Sequence, residues 1–223
     1  MGFRRTAVNL TLRGILGTIC RIEYREFFET LSRYQPLILA INHINFLEVP
    51  ILASFGYPLH LTGLAKSETW KNPFFSFLFN TYKAIPIDRN SSFKESFQLV
   101  RQAIDNGFYV IVAPEGARSK DGILREGKAG IIQLALEANA PVLPVVHYGG
   151  ERFWENFKRL RRTPFCIKAG SPFRIRFEGR PGRTERREIL DEVMRQLARL
   201  LPEEKRGIYA THVNQECKYL EFI

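Results

Sequence analysis

Short apolar runs that alternate with amphipathic segments constrain the fold of this chain more than any other feature of its sequence. The clearest runs have the length of buried strands and lie at residues 36–41, 59–64, 108–112 and 142–146. Helical patterns lie between or after them, at residues 128–138 and 183–200. Strands that alternate with helices predict an α/β layered fold, with a mixed, mostly parallel sheet flanked by helices. Short late strands, at residues 165–168 and 173–177, can run antiparallel in such a sheet.

A single domain accounts for the whole sequence. The chain has 223 residues, of which 45% are apolar and 25% charged, and this composition is that of a globular protein with one core. We find no repeat and no low-complexity linker that would divide it. We expect residues 1–20 to form a basic amphipathic helix, residues 21–182 an α/β core, and residues 183–223 a C-terminal helix and tail.

A polar segment at residues 42–50 connects the first buried strand to a helix. His43 and Glu48 are five residues apart, so on one continuous helix they would face different directions and they can meet only across a turn. A carboxylate in the first helical turn is favoured by the helix dipole and can accept a ring N–H from His43. The other ring nitrogen is then available to take a proton from a hydroxyl.

Two further polar segments follow predicted strands. Asp88-Arg89 ends a short strand at residues 82–89, and the loop at residues 114–119 follows the central strand at residues 108–112. In open α/β sheets, ligands bind at the carboxyl ends of the strands, where both of these segments and His43 are expected. This convergence favours a catalytic site over isolated structural roles.

The structural alternatives for these residues are specific. The role of His43 can be to satisfy backbone groups at the end of a strand. Asp88 and Arg89 can have no role beyond pairing with each other, and Glu115 can cap a helix. The aromatic-rich segment at residues 70–79 has two interpretations as well, since its rings can fill the core or line a site for a fatty chain.

The charge balance indicates an anionic partner. The net charge is +10, with one basic cluster in the first 22 residues and another at residues 152–187. Nucleic acid, an acidic lipid surface and a phosphorylated small molecule all fit such a charge. The basic N-terminal helix can lie on a membrane or pack on the domain. No apolar run has the length of about 20 residues that crosses a bilayer, and three scattered cysteines, Cys20, Cys166 and Cys217, indicate reduced thiols in a cytosolic compartment.

Several chemistries are disfavoured by the motifs. Gly122 and Gly127-Lys128 have the spacing of a phosphate loop, but Ala129 lacks the hydroxyl that would bind magnesium, so nucleotide hydrolysis is not predicted. The glycines and Lys128 can still bind a phosphate. The sequence has no G-x-S-x-G elbow and no recognisable nucleic-acid module, and neither a serine hydrolase nor nucleic-acid binding is predicted.

Taken in order, the motifs resemble those of the glycerolipid acyltransferases, which include the lysophosphatidic acid acyltransferases. The resemblance covers about residues 36–147 and consists of five blocks: Asn42-His43-x4-Glu48, Ile87-Asp88-Arg89, Pro114-Glu115-Gly116-Ala117-Arg118-Ser119, Gly127-Lys128-Ala129-Gly130 and Pro141-Val142-Leu143-Pro144-Val145. It differs in one position, because the acidic partner of the histidine is normally Asp in this family and is Glu48 here. The longer side chain shifts the carboxylate by about 1.5 Å, one C–C bond.

The resemblance implies a reaction and a set of roles. A hydroxyl of a lysophospholipid would attack an acyl thioester carried by coenzyme A or acyl carrier protein, with no metal or other cofactor. His43 would be the general base, oriented by Glu48. The acceptor and its phosphate would be bound by Arg89, Glu115, Gly116, Arg118 and Lys128. Backbone N–H groups near the His43 turn are candidates to stabilise the oxyanion.

The arginine-rich N-terminus and the absence of a spanning segment predict peripheral, electrostatic attachment to the cytoplasmic face of a membrane, with an anionic lipid surface as partner and no nucleic acid. The expected reaction is acyl transfer to the sn-2 hydroxyl of 1-acyl-glycerol-3-phosphate, which gives phosphatidic acid. Two alternatives remain at this stage. They are acyl transfer to another lysolipid or lipid-linked alcohol, and a non-catalytic lipid-binding relative.

Overall fold

The computed structural model describes residues 3–87 and 93–223. Its helices are α1 (Phe3–Ile19), α2 (Arg25–Leu31), α3 (Glu48–Phe55), α4 (Pro73–Tyr82), α5 (Phe93–Asp105), α6 (Gly130–Ala138), α7 (Phe153–Lys158) and α8 (Arg183–Leu200). Its strands are β1 (Cys20–Glu23), β2 (Ile38–Ile41), β3 (Leu61–Lys66), β4 (Ile85–Ile87), β5 (Tyr109–Val112), β6 (Val142–Tyr148), β7 (Thr163–Ala169), β8 (Phe173–Ile175) and β9 (Leu220–Phe222).

These strands form one mixed sheet, as the alternation of strands and helices predicts. Its order is β1-β7-β6-β2-β5-β3-β4, and β8 and β9 continue from β6. The neighbours from β6 to β4 are all parallel. Strands β7 and β8 run antiparallel to β6, as expected for the late strands. The predicted single α/β domain with a mostly parallel sheet is confirmed.

The sheet is covered on both faces, which is why its strands are continuous apolar runs rather than alternating ones. In β2, Ile38 and Ala40 pack into the core that contains α5, α6 and α8. Leu39 and Ile41 pack into the opposite core, which contains α2 and α3. Both cores end at the carboxyl edge of the parallel strands, so the polar residues that follow β2 and β5 meet at this edge.

Several predicted boundaries need correction. The strand expected at residues 82–89 begins at Ile85, because α4 extends to Tyr82. Asp88 and Arg89 lie outside the described residues. Helix α4 begins at Pro73, since the side chain of Asn72 accepts the N–H groups of the first turn. The helices α2 and α7 were not predicted. No strand was predicted in the C-terminal tail, yet β9 lies there and joins the sheet.

Helix α1 packs against α3 and α4, and its charged side chains are used inside the fold. Arg5 is buried and donates to a backbone oxygen of β3 at 3.1 Å. Arg13 donates to three backbone oxygens at the end of α3, at 2.7–3.0 Å. Phe3 and Leu10 are exposed, so the two faces of an amphipathic helix are not separated. A membrane contact of α1 stays a prediction. None of the helices in residues 3–87 and 93–223 combines the length and apolar composition that a bilayer crossing needs.

Candidate active site

Asn42 ends the pairing of β2 with β6 and thereby sets the position of His43. Its side chain bonds both backbone groups of His147, at 2.9 Å in each case, so an amide side chain continues the ladder where the backbone leaves it. The backbone is then free to turn at the next residue. His43 therefore projects from the carboxyl edge of the sheet, directly before α3.

The predicted contact between His43 and Glu48 is present. Nδ1 of His43 lies 2.5 Å from Oε1 of Glu48, which is the first residue of α3. A carboxylate can only accept, so Nδ1 carries the proton and Nε2 has a free lone pair. The side chain of Glu48 is buried whereas that of His43 is 29% exposed, and no group in the described residues bonds Nε2. The longer Glu side chain thus still reaches the imidazole.

The Glu48 carboxylate is held by a second set of groups. The backbone N–H groups of Ile44 and Asn45 donate to it at 2.9 and 3.1 Å. Nε2 of His147 lies 3.6 Å from Oε1, too far for a hydrogen bond, and donates instead to the backbone oxygen of Asn42 at 2.8 Å. Burial alone would raise the pKa of Glu48, but the neighbouring His147 and His43 outweigh it and lower the pKa to about 2. Glu48 is therefore ionised at neutral pH.

The backbone of the turn is already bonded to side chains. The N–H groups of Ile44 and Asn45 bind Glu48, that of His43 binds Glu115 at 2.7 Å, and that of Leu47 binds Asn45 Oδ1 at 2.7 Å. These are four of the backbone N–H groups in the segment from His43 to Glu48. Because each already has an acceptor, none of the four is available to an oxyanion. The expectation that backbone N–H groups near the His43 turn stabilise the oxyanion therefore does not hold for these four.

The loop at residues 114–119 braces the turn. Glu115 is buried and accepts two backbone N–H groups, from His43 and from Arg125 at 3.0 Å. Ser119 donates its N–H to the backbone oxygen of His43 at 2.7 Å. Both backbone groups of His43 are therefore fixed by this loop. The alternative role of Glu115 as a helix cap is wrong, since its two bonds are to the backbone of other loops.

Glu115 should contribute to stability in a pH-dependent way. Burial raises its pKa above the ordinary 4.5. A carboxyl with a higher pKa in the folded state contributes stability below the unfolded value, and this is lost as the pH rises through the folded value. We therefore expect the stability of the wild type, relative to Glu115→Gln, to decrease as the pH is raised from 4 to 7. Urea unfolding at several pH values measures it, and a constant difference would contradict the expected titration.

The residues expected to bind the acceptor are only partly brought together. Gly116 has a φ of +65°, a conformation that favours glycine. A Cβ there would lie 3.0–3.2 Å from the side chain of Lys128, so glycine also leaves room for that lysine. Lys128 and Arg118 are exposed and form no ion pair within the described part of the chain. Arg89 lies outside the described residues.

A cavity of about 900 Å³ opens beside this loop. Gly116 and Lys128 line it, together with apolar residues from the ends of β3 to β5 and from α5 and α6, among them Leu64, Ile87, Phe97, Val112 and Ile131. Arg180 and Arg186 line it as well, whereas Arg118 does not. None of residues 70–79 lines this cavity, and a fatty-chain lining formed by the aromatic segment stays a prediction. The lining of the cavity is therefore largely apolar and carries three cations and one acid, Glu137.

A comparison with models of known protein families shows which family the chain belongs to. The family model described as Acyltransferase matches residues 23–148, more than half of the chain. This chain belongs to the acyltransferase family. The matched region contains the His43 turn, the loop at residues 114–119 and Lys128.

Individual members of the acyltransferase family resemble the chain at moderate identity. A 1-acyl-sn-glycerol-3-phosphate acyltransferase from Cocos nucifera is 32% identical over 167 residues, which are 73% of this chain and 52% of that protein. An N-acylphosphatidylethanolamine synthase from Arabidopsis thaliana is 32% identical over 142 residues, 57% of this chain and 49% of that one. The chain thus spans about half the length of these curated relatives.

A solved structure supports the acyltransferase fold. The 1-acyl-sn-glycerophosphate (LPA) acyltransferase PlsC from Thermotoga maritima matches with a TM-score of 0.57 and 21% sequence identity. The match covers 85% of this chain and 75% of the Thermotoga chain.

Sequence reasoning missed His147, which lies directly behind the dyad. It is 2% exposed, its ring is stacked on Phe165 at 5.0 Å, and its Nδ1 has no partner in the described residues. The predicted strand at residues 142–146 stops one residue before it. Its position next to Asn42 follows from the parallel pairing of β2 with β6, and only the register of that pairing places the two together.

Proposed function

We propose that this protein transfers a fatty acyl group from a thioester to the sn-2 hydroxyl of 1-acyl-glycerol-3-phosphate, which gives phosphatidic acid. The observation that carries the proposal is the pair of His43 and Glu48. A buried carboxylate holds Nδ1 of a partly exposed imidazole and leaves Nε2 with a free lone pair. The names of the relatives from Cocos nucifera and Thermotoga maritima support this acceptor.

The proposed reaction needs one base and no cofactor. Nε2 of His43 takes the proton of the acceptor hydroxyl as its oxygen attacks the thioester carbon. The tetrahedral intermediate then breaks its C–S bond, and the leaving thiolate takes the proton back from the imidazolium. The products are an ester and a free thiol. Ionised Glu48 stabilises the transient imidazolium and keeps the ring in the productive tautomer.

The cavity provides a place for the two parts of a lysophospholipid. Its apolar interior suits a hydrocarbon chain, and Lys128, Arg180 and Arg186 supply positive charge on its lining. Lys128 forms no ion pair in the described residues, so its ammonium group is available to a phosphate. Gly116 allows the lysine stem to lie close to the loop that braces His43. We place the acceptor's phosphate at Lys128, with Arg118 and Arg89 as further candidates.

Replacing Lys128 with Ala should raise the KM for a phosphorylated acceptor by about tenfold or more, because a charge-assisted bond to phosphate contributes about 1.5–3 kcal/mol. The KM for the acyl donor should change little. Lys120→Ala is a matched control, since Lys120 is an exposed cation of the same loop that does not line the cavity. Steady-state kinetics with both substrates measures the effect. If Lys128→Ala weakened the use of a phosphate-free acceptor equally, Lys128 would not be the residue that recognises the phosphate.

A panel of acceptors tests the function as a whole. The purified protein is incubated with acyl-CoA or acyl carrier protein thioester and with lysophosphatidate, other lysophospholipids or phosphatidylethanolamine, and products are identified by mass spectrometry. Phosphatidylethanolamine is included because one relative is named as an N-acylphosphatidylethanolamine synthase. Phosphatidate as the main product would support the proposal. A higher kcat/KM with another acceptor would show that this acceptor is the substrate, while the proposed acyl-transfer chemistry would stand.

A further inference from the structure

The helix α7 and the two residues after it carry an exposed apolar ridge. Trp154 is 59% exposed, Phe157 47% and Leu160, two residues after the helix, 95%. Phe153, which is buried, anchors the ridge to the domain and contacts both aromatic rings of the ridge, at centroid distances of 5.1 and 5.6 Å. We call Trp154, Phe157 and Leu160 the α7 ridge.

Leu160 is the least expected residue of the α7 ridge. Its φ is +53°, in the left-handed region that leucine rarely adopts and that glycine adopts at no steric cost. A side chain that is 95% exposed makes almost no packing contact that would compensate for this conformation. Neither the backbone nor the core therefore accounts for a large apolar side chain here.

The charge around the α7 ridge identifies the kind of partner. Residues 152–162 contain five cations and one acid, Glu155. Glu155 pairs with Arg159 at 3.0 Å and lies 3.5 Å from Arg152. Lys158 and Arg161 form no ion pair in the part of the chain that the structure describes. Aromatic and aliphatic groups beside unpaired cations are the composition that binds the interface of an anionic bilayer.

The α7 ridge is continuous with the catalytic turn. Phe46, which lies between His43 and Glu48 in sequence, has its ring 5.7 Å from Trp154 and 5.9 Å from Phe153. The side chain of Asn45 donates to the backbone oxygen of Gly150 at 2.7 Å, just before α7. A membrane bound at the α7 ridge would therefore lie next to the base. An acceptor that resides in the bilayer would have a short path to the site.

We propose that the α7 ridge, with Lys158 and Arg161, docks the protein peripherally on an anionic lipid surface and brings the His43 turn to that surface. This surface differs from α1, where Arg5 and Arg13 bond within the fold. The inference rests on the proposed function, since docking matters for an acceptor that is a membrane lipid. Vesicle binding is measured without acyl transfer, so the docking proposal and the proposed function can fail separately.

The first measurement uses the fluorescence of Trp154. The chain has two tryptophans, and Trp70→Phe leaves Trp154 as the only one. On vesicles of phosphatidylcholine and phosphatidylglycerol in equal parts, its emission should shift to shorter wavelength, and on phosphatidylcholine alone the shift should need far more lipid. High salt should weaken the binding, because the attraction of the cations to the surface is screened. No shift on the anionic vesicles would overturn the proposal.

Leu160→Gly separates docking from folding. It removes the exposed side chain and suits the positive φ, so the thermal midpoint should stay the same or rise. Affinity for the anionic vesicles should fall by about tenfold, the effect of one apolar side chain no longer buried in the lipid. Phe157→Ala should act similarly, and the loss of Lys158 or Arg161 should cost about fivefold each. Leu10→Ala, at a 62% exposed position of α1, is the matched control and should bind as the wild type does.

The remaining outcomes are also decisive. Unchanged vesicle binding in both Leu160→Gly and Phe157→Ala would overturn the proposal, as would a loss confined to Leu10→Ala. If sedimentation shows a dimer that Leu160→Gly dissociates, the α7 ridge is an interface between copies instead. Transfer to a short-chain lysophosphatidate in solution should persist in Leu160→Gly while transfer to vesicle-borne acceptor falls. An enzyme that docks but transfers nothing would refute the proposed function alone.

Discussion

Replacing His43 with Ala should lower kcat for acyl transfer by about a hundredfold to ten-thousandfold, the range that a positioned general base contributes. Nε2 is the only group of the His43–Glu48 pair with a free lone pair aimed away from the buried carboxylate. Without it, the acceptor hydroxyl attacks with its proton still attached. The KM values should change less than kcat, because the imidazole acts in the transition state rather than in binding.

The His43→Ala experiment needs controls for folding and for histidine loss in general. The His43 side chain is 29% exposed, so its removal leaves little cavity, and Glu48 keeps the N–H groups of Ile44 and Asn45. The variant should therefore fold, which circular dichroism and a thermal midpoint measure. His212→Ala removes a histidine that is 42% exposed at the C-terminal end and should have full activity. A folded His43→Ala protein with near wild-type kcat would refute the mechanism.

The part of the fold that sequence predicts well is the part in which each local signal has one interpretation. Buried strands such as β2 and β6 are continuous apolar runs, and α8 has the predicted bounds because its 3.6-residue pattern is long. Helix α7 was missed because the aromatic and basic residues of its six-residue span carry no helical period. The start of β4 was predicted too early, at residue 82, because an apolar run does not show where the preceding helix α4 ends.

The candidate site is predictable where its contacts are local in sequence. His43 and Glu48 are five residues apart, and a strand-to-helix turn is enough to bring them together. The bracing of His43 by Glu115 depends on the parallel pairing of β2 with β5, which a sequence without register information does not reveal. His147 depends in the same way on β6. The sequence therefore predicts the contact between His43 and Glu48, and the structure shows which groups hold it in place.

Glu48 bonds both the imidazole of His43 and the backbone of the turn. Substitutions of Glu48 distinguish between these two contacts. Glu48→Gln keeps the size of the side chain but replaces one acceptor oxygen with a donor. If the amide nitrogen faces His43, Nδ1 must accept, and the proton moves to Nε2, the wrong tautomer for a base. If it takes the position of Oε2 instead, it opposes the N–H group of Asn45. Either orientation therefore removes at least one of the hydrogen bonds that Glu48 accepts.

Glu48→Asp keeps both acceptor oxygens but shortens the reach by about 1.5 Å. The 2.5 Å contact with His43 would lengthen unless α3 shifts toward the turn, so we expect a modest loss of activity. In serine proteases the change from acid to amide lowers kcat by about ten-thousandfold. In this dyad, a loss of at least about a hundredfold is expected for Gln and about tenfold or less for Asp, in kcat rather than in KM. Full activity in both variants would show that Glu48 only begins a helix.

The stability of the same variants should depend on pH with a defined sign. Glu48 has a pKa of about 2 in the folded protein, below the ordinary 4.5. Its contribution to the free energy of unfolding is therefore fully present above pH 4.5 and is lost as the pH falls toward 2. Wild type and Glu48→Asp should lose stability over this interval, whereas Glu48→Gln should lose less because it has no carboxyl group to protonate. Unfolding in urea between pH 2 and 7 measures the difference, and parallel curves for Gln and wild type would show that Glu48 is not held as an anion by His43 and His147.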